Sequence, residues 1–186
     1  MSGGPYASIL AGDLVRRTPR FDLVPLQPSD AAALLETLAD SEVVRFMDIE
    51  PLAHPDQARS LIARAESLRT AGAGVRWAIR ARADGAFVGT CGFQGLVWER
   101  GCRGEIGYEV AQSFWGAHVM DEIMPLLTDF GFTALGLRRL EAFVAEHNHR
   151  SCRVLERHGF LREGLLRDYG FWKDAFWNQL IYARLG

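Results

Sequence analysis

Glu105-Ile106-Gly107-Tyr108-Glu109-Val110, running into Ala111-Gln112-Ser113-Phe114-Trp115-Gly116, is the stretch on which the fold turns. The first six residues read as a strand. Period-two alternation puts Glu105, Gly107 and Glu109 on one of its faces. Trp115-Gly116 then makes a turn, and a helix is expected from Ala117 to Ala134, with Val119, Ile123, Met124, Leu127 and Phe130 as its apolar stripe. Pro125 lies inside that helix, where it costs a hydrogen bond or a kink, and Gly136 closes it.

Working upstream, Val75, Trp77 and Ile79 alternate with Arg76 and Arg80 as a half-buried strand. Asp84-Gly85 signals a hairpin, and 87–93 forms its return strand. Earlier still, 21–24 reads as a strand stopped by Pro25, and Ser29-Asp30 caps a helix carrying Leu34, Leu35 and Leu38. A further helix spans Pro55 to Arg69. Residues 1–19 read as a flexible N-terminal extension, leaving 20–186 as the folded domain. Downstream, Leu140, Ala142 and Val144 alternate as a strand. Asn148 to Arg157 is a short helix, and two strands end the chain. The order predicts a mixed α/β sheet with helices on both faces.

Composition bounds the rest. At 186 residues with 48% hydrophobic positions, one domain with a full core is the natural reading. A net charge of −2 argues against a broad nucleic-acid surface. No apolar run reaches membrane-spanning length, and the first residues lack a secretory pattern. Cys91, Cys102 and Cys152 form neither a CxxC nor an even set, so reduced thiols in the cytoplasm are expected.

Three segments, the strand and turn at 105–116, the helix-to-strand join "GFTALGLRRLEAFV" at 131–144, and "NHRSCRVLERHGF" at 148–160, together resemble the GNAT N-acetyltransferases. They are most similar to the branch that acetylates ribosomal-protein N-termini, and the resemblance covers about residues 21–185. It implies a mostly antiparallel sheet with a splayed parallel strand pair. It also implies acetyl-CoA as cosubstrate, no metal, and direct transfer to a primary amine in a ternary complex. The acceptor would be a protein N-terminus or a small molecule. A non-catalytic GNAT-fold binding or regulatory protein with a degenerate CoA loop is the alternative. Pantetheine would fill the gap between the strand ending at Val110 and the strand centred on Ala142, and the pyrophosphate would rest on Trp115, Gly116, Ala117, His118, Val119 and Met120. His118 stands where the family usually has glycine. It would crowd the phosphates, adopt a disfavoured φ, or donate a hydrogen bond when protonated.

The residues carry plainer readings beside these. Trp115-Gly116 also suits any turn before a helix, and Asn148 any N-cap; by resemblance Asn148 also reaches the CoA arm. Ser151 is either a first-turn polar residue or a proton donor beside the sulfur, and Leu155 stands where many relatives place a donor Tyr. An α-amine, with pKa ~7.7–8.0, is partly neutral already, so a weak base suffices. Glu105 is the first choice for it, its pKa raised by nearby Glu109; the alternative is a strand-end charge paired with Arg103 or Arg100. Asp168 and His147 are reserves. The Val110 N–H would hold the oxyanion. Residues 46–50 and the hairpin 169–172 would flank the acceptor groove, with Asp48, Glu50 and Asp168 suiting a cationic amine. The hairpin aromatics equally suit a homodimer contact, and Trp177 reads as core.

Overall fold

The computed structural model describes residues 5–99 and 101–186. Its centre is an eight-stranded sheet in the order β1-β2-β3-β4-β5-β6-β8-β7. The strands are β1 (Arg16–Arg17), β2 (Phe21–Pro25), β3 (Val75–Ala81), β4 (Phe87–Val97), β5 (Arg103–Val110), β6 (Arg139–Ala145), β7 (Leu161–Trp172) and β8 (Ala175–Leu185). Every neighbouring pair is antiparallel except β5 and β6. The helices are α1 (Ala7–Leu10), α2 (Ala31–Ala39), α3 (Ser41–Val44), α4 (Pro55–Thr70), α5 (Val119–Asp129) and α6 (His149–Arg157).

Alternation decides what each face of the sheet packs. Val75, Trp77 and Ile79 of β3 are buried with Phe93 of β4 and the α5 stripe of Val119, Ile123, Met124 and Leu127. Trp77 meets Phe130 edge-on at 5.3 Å. A smaller cluster, Leu34, Leu38, Val44, Leu52, Ala58 and Ile62, gathers α2, α3 and α4. In β4, Gly92 lies so close to Val75 that a Cβ there would collide with its carbonyl oxygen. The central strands approach one another this closely because that position is bare.

Several expectations need correction. Over its described part the N-terminal segment is packed rather than loose. Tyr6, Leu10 and Leu14 are buried, and the Trp77 indole N–H donates to the Leu14 carbonyl at 2.7 Å. Residues 1–4 lie outside the described part. The long helix begins at Val119 rather than Ala117, because His118 before it is left-handed, with φ 56°. It runs through Pro125 and ends in a π turn over Phe130–Ala134. Trp177 is half-buried rather than core. Its ring stacks on Trp172 at 5.4 Å and meets Phe46 edge-on at 6.4 Å. Leu155 is fully buried and faces no cleft.

Candidate active site

The parallel pairing of β5 with β6 covers only Arg103–Arg139, Gly104–Leu140 and Glu105–Glu141. Beyond Glu105 the strands diverge, and a cleft of about 1040 Å³ opens between them. Both strands stay anchored on their outer sides, β5 to β4 as far as Val110 and β6 to β8 as far as Ala145. The opening is therefore a split within an intact sheet. Residues from both faces of β5 line it, including Glu105, Tyr108 and Val110.

Strand alternation sets the direction of the exposed backbone. The Ala111 N–H donates to the Val88 carbonyl at 2.8 Å, on the β4 side. Antiparallel pairing then turns both polar groups of Val110 toward the split. The Val110 carbonyl accepts from the Trp115 indole N–H at 2.8 Å, which leaves the Val110 N–H as the group offered to the cleft.

Glu105 lies at the closed end of the split. Its carboxylate accepts from Gln94 Nε2 at 2.6 Å. Burial raises its pKa above the usual carboxylate range; Gln94 opposes this, and the charges of Glu141 and Asp48 add to it. Arg103 is drawn instead to Glu141, at 3.5 Å, so the alternative Arg103–Glu105 pair does not form. Arg100 is outside the described residues. Glu109 is not the second carboxylate beside Glu105, because Arg76 and Thr90 both bond to its largely buried side chain.

Across the split, Asn148 caps α6 by accepting the Ser151 N–H at 3.2 Å. The Ser151 hydroxyl lies 2.7 Å from the hydroxyl of Tyr108. Burial pushes the Tyr108 phenol up to about 12, against the opposing bond from Ser151, so it stays protonated near neutrality. Tyr108 escaped the sequence reading. Its alternation places it on the strand face opposite Glu105, and only the split brings both faces to one cleft.

The loop before α5 carries Gly116 at φ 79°, with open space where a Cβ would be. The next left-handed residue is His118. His118 thus takes a backbone conformation natural to glycine, and its ring is drawn aside to Asp121, Nδ1 to Oδ2 at 2.6 Å. Burial opposes ionisation of Asp121. Hydrogen bonds from His118 and His158 and the Arg157 charge prevail and hold its carboxyl below the usual range. Trp115, Gly116, His118 and Val119 line the cleft, whereas Ala117 does not.

At the other end, Phe46 and Met47 line the cleft. The hairpin 169–172 acts one layer back. Tyr169 stacks on Phe143 at 5.6 Å, and Lys173 Nζ donates to the Val44 carbonyl at 2.7 Å. Asp48 and Glu50 are exposed and outside the cleft lining, as is Asp168; His147 lines the cleft. Among the described residues no group of three or more His, Cys, Asp or Glu could hold a metal ion.

Residues 20–161 match the acetyltransferase (GNAT) domain family. The chain belongs to the GNAT family. It is 38% identical over 152 residues to the uncharacterized N-acetyltransferase p20 of Bacillus licheniformis, covering 82% of this chain and 85% of that protein. It is 32% identical over 169 residues to the uncharacterized N-acetyltransferase YoaA of Bacillus subtilis, covering 91% and 95%. Among solved structures, RimJ of Mycobacterium smegmatis in complex with a CoA disulfide superposes with TM-score 0.84 at 25% identity, covering 93% of this chain and 87% of that one. The family and these relatives make the chain an N-acetyltransferase. The mixed sheet with one parallel pair is the GNAT architecture expected from the sequence.

Proposed function

We propose that this GNAT protein moves an acetyl group from acetyl-CoA to a primary amine, on a protein N-terminus or a small molecule, by direct transfer in a ternary complex. The observation that carries this reading is the β5–β6 split, which turns the Val110 N–H toward a cleft with Glu105 at its closed end and Ser151 across it. The residues present fit a CoA thioester. Diverging strands offer backbone groups to an extended pantetheine, and the open Gly116 turn leads into the N-terminus of α5, whose free N–H groups favour phosphate. When bound, the thioester supplies an activated acyl carbon.

The chain's own groups then divide the work. Glu105, with its raised pKa, accepts the proton of the attacking amine. The Val110 N–H donates to the oxygen that gains charge as the carbon–nitrogen bond forms. Ser151, backed by the Tyr108 hydroxyl, gives a proton to the sulfur as the carbon–sulfur bond breaks. Trp115 holds the end of β5 in place, and Asn148 orders the first turn of α6 under Ser151. Glu105 lines the cleft with no ion-pair partner among the described residues, which suits a cationic amine, whereas Glu42, also in the lining, pairs with Arg45 at 3.7 Å. We assign the catalytic domain to 20–186, with Tyr6, Leu10 and Leu14 packed into the same core, and the compartment to the cytoplasm. No helix among the described residues is long and apolar enough to cross a membrane.

Calorimetric titration with acetyl-CoA, followed by thiol release in the presence of a peptide with a free α-amine, tests the proposal. Saturable binding with amine-dependent thiol release is expected. Absence of binding at millimolar acetyl-CoA would refute it.

A further inference from the structure

A second cavity, of about 440 Å³, lies between α6 and the strands β7 and β8. None of Glu105, Val110 and Ser151 lines it, so it stands apart from the acyl-transfer groups. Helical spacing makes the division: Ser151 faces the cleft, whereas Cys152 and Glu156, one turn apart, face this cavity. His147, His149 and Arg153 border both. The floor is formed by Cys152, Leu180 and Tyr182, all buried.

Around that floor stand charged side chains of both signs, Glu146 and Glu156 against Arg153 and Arg162. None of them forms an ion pair among the described residues. Neutral donors fix the two carboxylates instead. Asn178 Nδ2 donates to Glu146 at 2.9 Å, and the Asn178 oxygen is itself held by the Asp168 N–H at 2.9 Å. The Tyr182 hydroxyl donates to Glu156 at 2.9 Å. Burial, with Cys152 and Glu156 beside it, pushes the Tyr182 phenol up, so it remains a donor at neutral pH. Each carboxylate thus has one oxygen fixed and, among the described residues, one left over for a further donor.

Opposite charges that face one cavity without neutralising each other suit a ligand that carries both signs. An anion alone would meet the glutamates, and a cation alone the arginines. We propose that this cavity binds a free α-amino acid as its zwitterion, with the carboxylate on Arg162 and Arg153 and the ammonium between Glu146 and Glu156. Arginine suits the first contact because its planar fork bonds two carboxylate oxygens at once. The ammonium brings donors for the unused glutamate oxygens. Leu180 and Cys152 offer the ligand's side chain an apolar floor, and the volume falls within the roughly 300–1,000 Å³ of small-molecule sites. An amino acid held here does not face Glu105 or Val110, so it is a ligand and not an acceptor.

The test is calorimetry of the full chain at pH 7.5 with L-leucine, with L-leucinamide, which lacks the carboxylate, and with N-acetyl-L-leucine, which lacks the ammonium. No cosubstrate is present, so the outcome is independent of the transfer reading. L-Leucine is expected to bind saturably, and each single-charge analogue about tenfold more weakly, the scale of one lost charge-assisted contact. Arg162→Gln and, separately, Glu146→Gln should each weaken L-leucine about tenfold. Arg162 is exposed, and Gln at 146 keeps an oxygen for Asn178, so both variants should melt as wild type does. Glu105→Gln should bind L-leucine as wild type does. Absence of saturable binding at millimolar L-leucine would overturn the proposal, as would equal binding of the three compounds. Binding lost in Glu105→Gln but kept in Arg162→Gln and Glu146→Gln would place the ligand in the cleft and overturn it too.

Discussion

Replacing Glu105 by Gln separates a catalytic carboxylate from a structural one, because the two roles predict opposite pairings of activity and stability. The substitution keeps the side-chain oxygen that accepts from Gln94 Nε2 at 2.6 Å, so the strand-to-strand contact survives. It removes only the charge and the basicity. Loss of a general base lowers turnover by about 10²- to 10⁴-fold. For stability the sign runs the other way. Burial, with Glu141 and Asp48 nearby, raises the native pKa of Glu105 above its unfolded value. Its contribution is therefore full below the unfolded pKa and is lost as pH rises through the native one, so at neutral pH the ionised group weakens the fold. The Gln variant escapes that loss and should melt no lower than wild type at pH 7.5, and relatively higher as pH rises from 4 to 7. Thiol release from acetyl-CoA with an α-amine peptide, measured from pH 5.5 to 9, should lose the limb set by Glu105 and keep the limb set by the amine. CoA affinity should be unchanged. Activity within threefold of wild type would refute the assignment, and a lowered melting temperature would make Glu105 a structural carboxylate.

Tyr108→Phe removes the hydroxyl 2.7 Å from Ser151 and should lower turnover by about tenfold or more, with a stability loss of about 1 kcal/mol from the lost bond. Because the phenol titrates at about 12, the wild-type profile should show no Tyr108 limb below pH 9; unchanged turnover in the variant would remove this pair from the mechanism. His118→Gly relieves a left-handed residue, worth about 1 kcal/mol, while losing an exposed contact to Asp121 and adding chain entropy to the unfolded state. Net stability should move little, and calorimetry should show tighter CoA binding. Weaker binding would instead make the imidazole a phosphate ligand.

Much of the scaffold is legible in the chain. Period-two alternation located β3, and the apolar stripe located α5, because burial against a single neighbouring layer writes itself into local spacing. Asn148 was readable as a cap for the same reason: its partner is three residues away. Residues 6–14 were misread because a four-residue helix has no period to detect, and its burial depends on Trp77 some sixty residues on. Trp177 was misread because hydrophobicity alone does not say whether an aromatic ring packs inward or against another ring at the surface.

The site divides in the same way. The sequence by itself determined which strand precedes which helix, that a glycine turn leads into α5, and that Glu105, Val110, Trp115 and Ser151 belong to neighbouring elements. Tertiary structure alone decided how they meet. Glu109 was expected as the second carboxylate beside Glu105, and instead it pairs with Arg76, thirty-three residues upstream. Tyr108 became a partner of Ser151 only because β5 and β6 part after Glu105. Strand pairing, and the point at which it stops, is set by contacts between distant segments, whereas periodicity reports only what each segment does with its immediate neighbours.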